Sequence, residues 1–165
     1  MQRWQLDGTG RIQVVVLVVV RRGVSFTTSS IALVLNTEDA YPRKQLPGGV
    51  VFEGESLEQA AVRKASEELG LAVDTSRLRY LRTEYRRNQH GPVACHSFRV
   101  NIHPQEEERL RWNSVRGKFE ISLVAIGELE QYLLKRDRRL IHPMTQGNHA
   151  QPEDVRALDW SALDN

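Results

Sequence analysis

The stretch GGVVFEGESLEQAAVRKASEELGL, residues 48–71, reads as a glycine turn running into a helix that carries a glutamate pair. Pro47 ahead of it biases Leu46 toward extended backbone. Gly48 and Gly49 admit dihedral angles closed to other residues, which suits a carbonyl turned inward toward a ligand. Ser56 stands where a helix N-cap belongs, Gln59 three residues on completes a capping box, and Gly70 sits at a left-handed helix stop. The helix is therefore predicted over about 57–69. Leu57, Ala60, Ala61, Ala65 and Leu69 give it an apolar face. Lys64, Glu67 and Glu68 are neighbours at the i,i+3 and i,i+4 spacings, so all three project together.

Outward from this segment, residues 12–20 are dense in valine, and β-branched residues fit a pleated, buried surface better than a helix, so a central strand is expected there. Residues 31–35 form a second short strand, and the polar stretch 36–45 is a loop leading to Leu46. Downstream, 78–85, 95–102 and 118–125 read as strands separated by polar turns, and 128–135 as a second helix. A short third helix is predicted over 152–163. Strands interleaved with a few helices, without regular βαβ alternation, predict the α/β class with a mixed sheet between helical layers. The length of 165 residues suits one domain, with a core over about 12–134 and a C-terminal extension over 135–165.

A formal charge of +2, from 23 basic and 21 acidic residues, is spread without a block of like sign. No nucleic-acid stripe follows from it, although Arg86-Arg87 and the run from Arg136 to Arg139 are local basic clusters that suit phosphates. Cys95 is the only cysteine, which excludes an internal disulfide and favours a reducing, cytoplasmic setting. The apolar run of residues 14–20 is far shorter than the roughly 20 residues of a membrane helix and lacks a signal-peptide cleavage site. No membrane partner is expected. The valine-rich first strand is a candidate for pairing across a homodimer.

The spacing of Gly49, Glu55, Arg63, Glu67, Glu68 and Gly70 resembles the Nudix box, the signature of hydrolases acting on nucleoside diphosphates linked to another group. At about 7% usage per residue type, six such positions agree by chance roughly once in 10⁷ windows. The resemblance implies a Nudix-like α/β/α sandwich over about 12–134, hydrolysis of a phosphoanhydride, and a nucleotide-type small-molecule substrate. It also implies Mg²⁺ or Mn²⁺ as cofactor, held by Glu67, Glu68 and the Gly48 carbonyl, in keeping with the oxygen-only preference of these ions. Glu55 takes a supporting place behind the ligands. Arg63 orients the acidic cluster by ion pairing, and its position four residues before Glu67 permits this.

Lys64 departs from the pattern, because family members commonly carry a glutamate there for metal ligation or water activation. A lysine ammonium has no lone pair to offer either task. Two placements are open to it: between Glu67 and Glu68, in part of the space a metal would take, or outward to solvent along its long stem. With the box one carboxylate short, a later glutamate becomes a candidate ligand and base. Glu120 is the first choice, since the segment from Glu120 resembles the family's Glu-x-x-Trp with Leu123 in place of tryptophan, and Glu53 and Glu84 are weaker choices. Glu68, Glu120 and Arg63 are thus the expected catalytic residues. The run Glu106-Glu107-Glu108 reads as a solvated turn. His90, His96, His103, His142 and His149 lack the paired helical spacing of a zinc site. His90, beside Gly91-Pro92, is a loop histidine. Trp4, Tyr41, Tyr80, Tyr85, Phe98 and Trp112 read as packing residues, and the serines lack a nucleophile-elbow context.

Two functions of different class follow. One is a Mg²⁺-dependent hydrolase attacking a phosphoanhydride with water. The other, prompted by Lys64, is a domain that binds a nucleotide or phosphorylated metabolite without cleaving it, as a sensor or interaction module. A box kept only for assembly is a third. No subfamily marker for ADP-ribose, coenzyme A, NADH or dinucleoside polyphosphate cleavage stands out beyond the box, so substrate identity stays open.

Overall fold

β-Branched residues fill the first strand, β1 (Ile12–Arg21), of the computed structural model, which describes residues 2–141. Their alternation serves two cores at once. Val15, Leu17 and Val19 face one apolar cluster, and Val18 and Val20 face the other. A strand buried on both faces needs nearly continuous apolar sequence, which is what the valine run supplies.

Around β1 the described residues form a six-stranded mixed sheet. The strands are β2 (Ser30–Asn36), β3 (Gly48–Val50), β4 (Arg79–Asn88), β5 (Gly91–Asn101) and β6 (Phe119–Ala125), in the order β4-β5-β1-β2-β6 with β3 also on β1. β1 runs parallel to β5 from Ile12↔Val93 to Val20↔Asn101. Its other edge is shared between β3, at Val14↔Val50 to Val16↔Gly48, and β2, at Val20↔Ile31 and Arg21↔Ser30. Both edges of β1 are thus taken within the chain. Pairing across a dimer through this strand, raised by its valine content, is therefore ruled out by the register.

Helices cover both faces, which makes the α/β/α sandwich. On one face lie α1 (Leu57–Lys64), continued by a single π turn over Ala65–Leu69, and α2 (Pro104–Arg116). Ala60, Ala61, Ala65, Leu69 and Leu110 bury there against Val15, Leu17 and Phe98. The other face is covered by a short 3₁₀ turn over Ile126–Gln131, by α3 (Lys135–Arg138) and by the residues just after it, through Leu129, Leu133, Leu140 and Ile141. Among the described residues no helix is long and apolar enough to cross a membrane.

The glycine turn at Gly48–Val50 pairs as the short strand β3, and three helical segments also differ from expectation. The segment 57–69 is helical throughout, but its last five residues form a wider π turn in place of α-helix. Residues 104–116, with Glu106-Glu107-Glu108 expected as a turn, form α2. Pro104 pre-sets the first helical position, Glu106 accepts the His103 N–H at 2.9 Å, and Leu110 anchors the helix in the core. Its charges are neutralised in pairs, Glu106 by Arg77 at 2.7 Å and Glu107 by Arg21 at 2.9 Å and Arg111 at 3.0 Å. The helix expected over 128–135 is interrupted, because Leu134 takes extended angles (φ −64°, ψ 153°) that redirect the chain toward burial of Leu140 and Ile141. The predicted helix over 152–163 lies outside the described residues.

The start of α1 bears out its sequence reading. Gln59 N–H donates to Ser56 Oγ at 3.0 Å, and Ser56 N–H donates to Gln59 Oε1 at 2.8 Å. Gly70 closes the π turn at φ +67°. Ser56→Ala removes one of the two cap bonds and is expected to lower the unfolding free energy by about 1 kcal/mol. Urea titration of both proteins checks it, and equal midpoints at equal slope overturn it.

Candidate active site

Arg63, on the α1 face turned toward the glycine loop, is the centre of the site. Its Nε and Nη2 donate to the two oxygens of Glu55 at 2.8 and 3.0 Å, and Nη2 also donates to the Val50 carbonyl at 2.8 Å. Nη1 reaches both oxygens of Glu67 at 3.3 Å. The guanidinium plane lies 4.3 Å from the centre of the Phe52 ring. Glu55 in turn accepts the Phe52 N–H at 2.8 Å, so loop and helix are tied by one planar cation. The hydrogen bonds from Arg63 outweigh burial and hold the Glu55 carboxyl below its ordinary 4.5. The same bonds raise Arg63.

The π turn then separates the fates of two adjacent glutamates. A π turn advances each residue by less angle than an α-helix, and such turns recur at functional sites. Glu67 is 48% exposed at its side chain, whereas Glu68 is 8% exposed and accepts the Gly48 N–H at 2.7 Å. Burial pushes the Glu68 carboxyl up, against the pull of Lys64 and of the Gly48 N–H. Burial also opposes ionisation of Glu67, but the hydrogen bonds from Lys64 and Arg63 prevail and its carboxyl lies below the usual range.

Lys64 takes the inward of its two placements. Its side chain is 17% exposed, with Nζ 3.1 Å from Glu67 Oε2 and 3.8 Å from Glu68 Oε1. The end of the lysine lies against the glycine loop, since a Cβ built on Gly49 would come within 2.9 Å of Cε and 3.2 Å of Nζ.

Two cavities flank this cluster. One, of about 610 Å³, has Lys64, Glu67 and Glu68 on one wall and Asn113, Lys118 and Phe119 on the other. The second, of about 330 Å³, is lined by Val14, Val16, Gly48 and Gly49 together with Arg43 and Arg136. Asn113 escaped the sequence reading because α2 was not recognised as a helix, and Lys118 and Phe119, at the start of the expected strand, because nothing local to them sets that strand end beside the glutamate pair. Asn113 Nδ2 donates to the Leu69 carbonyl at 2.8 Å and satisfies the open end of the π turn, a contact across 44 residues with no signal in the local sequence.

Of the expected site residues, Gly48, Glu55, Arg63, Glu67 and Glu68 come together, although Gly48 meets Glu68 through its N–H where the carbonyl is the expected group, and Glu120 does not join them. On β6, Phe119, Ile121 and Leu123 pack on the α1 side of the sheet and Val124 on the other, so strand alternation turns Glu120 away from the glutamate pair. Glu84 sits opposite Cys95, which belongs to the far cluster, and pairs with Arg82 at 2.9 Å. Glu53 is exposed in the turn before α1. His90 contacts Trp4 edge-on at 5.1 Å, and His96 is held between Thr83 and Gln13. Burial pushes the Cys95 thiol up to about 11, which removes it as a thiolate nucleophile at neutral pH.

The donor set does not fit a tightly held divalent ion. The oxygens of Glu67 accept from Arg63 and Lys64, and those of Glu68 are engaged by Gly48 N–H and the Lys64 ammonium. Among the described residues no group of three or more His, Cys, Asp or Glu side chains is arranged to hold a metal.

The Arg63–Glu55 contact makes stability depend on pH in one direction. A carboxyl held below 4.5 in the folded chain contributes stability above that pH, lost as pH falls through the lower folded value. Glu55→Gln is expected to cost about 2 kcal/mol at pH 7, the scale of a partly buried charge-assisted hydrogen bond. The gap from wild type should close below pH 4.5, as read by chemical denaturation across the pH series. A gap that persists unchanged at pH 3 is inconsistent with it.

No curated protein shows a sequence match to this chain. Solved structures share its fold. NrtR of Shewanella oneidensis, in complex with a 27mer DNA, superposes with a TM-score of 0.62 at 18% identity over 82% of this chain and 63% of its own length. The Nudix domain of the same protein, in complex with ADP ribose, gives 0.58 at 16% identity over 80% of this chain and 84% of that one. A MutT structure from work on Aliivibrio salmonicida and Vibrio cholerae gives 0.56 at 21% identity, covering 80% and 95%. The chain spans 36% of a MutT/nudix family protein from Enterococcus faecalis. The likenesses to NrtR and MutT show a common architecture. The profile of the NUDIX domain matches residues 10–144, most of the 165-residue sequence and all of the loop, helix and sheet described above, and the chain belongs to the Nudix family.

Proposed function

We propose that this Nudix chain hydrolyses a phosphoanhydride bond in a nucleoside diphosphate linked to another group. The observation that carries the reading is the intact frame of the box. Arg63 still joins Glu55, Glu67 and the Val50 carbonyl, and Glu68 is still anchored on the Gly48 N–H beside two cavities. The ADP ribose held by the NrtR Nudix domain is a ligand of this chemical class on the same architecture.

The diphosphate lies along Gly48 and Gly49, with Arg43 and Arg136 on one side and Lys64 and Lys118 on the other to meet its oxygens. Glu68 is the carboxylate placed to take a proton from an attacking water, because burial raises its basicity while the Gly48 N–H fixes its orientation. Arg63 positions Glu67 and the loop and does not itself reach the reacting atoms. The substrate is the Mg²⁺ or Mn²⁺ complex of the nucleotide, in which the ion offsets diphosphate charge.

The placement of Lys64 favours a second reading, in which the ligand is bound and left uncleaved. A screen of nucleotide sugars, dinucleotides and nucleoside triphosphates with Mg²⁺ and Mn²⁺, read by phosphate release, separates the two. Hydrolysis by wild type is expected, with Glu68→Gln about 10²- to 10⁴-fold slower if Glu68 is the base. Lys64→Glu, which restores a carboxylate beside the pair, is expected to turn over at least tenfold faster than wild type. Binding of nucleotide with no hydrolysis by either protein replaces the enzyme with a sensor or interaction module.

A further inference from the structure

We infer that Lys64 is a tethered cation that takes the place of a divalent ion in the Glu67–Glu68 cleft, so that the resting site assembles without metal. Three carboxylates, Glu55, Glu67 and Glu68, face two cations, Arg63 and Lys64, across contacts of 2.8 to 3.8 Å, leaving a net charge of one. A glutamate at position 64 would leave three net charges and require an external ion to hold Glu67 and Glu68 together. The lysine ammonium performs that service internally.

Geometry distinguishes this arrangement from an ordinary surface ion pair. Lys64 is the last residue of α1, and the π turn that follows carries Glu68 inward while leaving Glu67 at the rim. The ammonium is thereby set between one buried and one half-exposed carboxylate, with its stem covered by Gly49. Burial of this kind limits screening by water and by salt. An ammonium also has three donors, of which Glu67 engages one at 3.1 Å while Glu68 is held by charge at 3.8 Å, and a remaining donor serves a phosphate oxygen entering the cavity shared with Lys118. That consequence for ligand binding rests on the hydrolase reading. The replacement of metal by lysine does not.

The test is Mn²⁺ binding to the full chain, measured by calorimetry for wild type, Lys64→Glu and Lys64→Met. Lys64→Glu is expected to bind Mn²⁺ at least tenfold tighter than wild type, with Lys64→Met between them, since it removes the cation without adding a carboxylate. Mn²⁺ at a fixed concentration should raise the melting temperature of Lys64→Glu and leave that of wild type unchanged, because only an ion that binds the folded state stabilises it. Should Lys64→Glu fail to fold, a tighter Mn²⁺ affinity of Lys64→Met than of wild type carries the same conclusion. Wild type that binds Mn²⁺ as tightly as the variants overturns the inference. Phosphate release plays no part in these measurements, so an inactive wild type with the expected Mn²⁺ series defeats the hydrolase reading alone.

Discussion

The position of the glycine loop on the helix depends on the Arg63 guanidinium. β3 is three residues long and pairs with β1 at only three positions, which is little to locate residues 48–56. Arg63 supplies what the sheet does not. Its fork takes two oxygens of Glu55, its outer nitrogens reach Val50 and Glu67, and its plane rests on Phe52. A lysine has one point charge and no planar fork, so it cannot hold a carboxylate in two directions while stacking on a ring. Loss of the arginine would release the loop that carries Gly48 and Gly49, and with it the anchor of Glu68.

Much of the fold and of the frame of the candidate site is legible in the sequence, for reasons that differ by residue. Ser56, Gln59 and Gly70 act through local backbone geometry, and local chemistry is written in neighbouring letters. Strand β1 was legible because burial on both faces demands a run of valines. α2 was not, since its 13 residues carry one fully buried leucine and a block of glutamates. Those charges look like solvent exposure until Arg77 and Arg21, far away in sequence, are found opposite them. Long-range neutralisation has no signature in a local window.

The Glu120 expectation illustrates the same limit on the candidate site. A motif-like segment located the right strand, yet the outcome hung on parity: one residue along a strand reverses the face it serves. Phe119, one position earlier, lines the cavity beside the glutamate pair, and Glu120 does not. Only the register with β2, which sets Glu120 opposite Leu35, fixes that parity.

Charge and backbone geometry act together at Lys64. Had the helix continued as α-helix through Leu69, Glu67 and Glu68 would have followed one another around a regular spiral. The π turn widens that spiral and gives Glu68 a backbone partner in Gly48 while Glu67 keeps Arg63. A carboxylate pair with one member buried needs a cation near it, because desolvation of Glu68 and mutual repulsion both oppose its ionisation. In a box with three glutamates that cation must come from solution, and the site is assembled only when the ion arrives. With lysine at position 64 the cation is covalently attached, and its ammonium stands 3.1 Å from Glu67 and 3.8 Å from Glu68. On the proposed reading, preorganisation of this kind would lower the cost of binding a phosphate, while position 64 offers no carboxylate to a metal or to water.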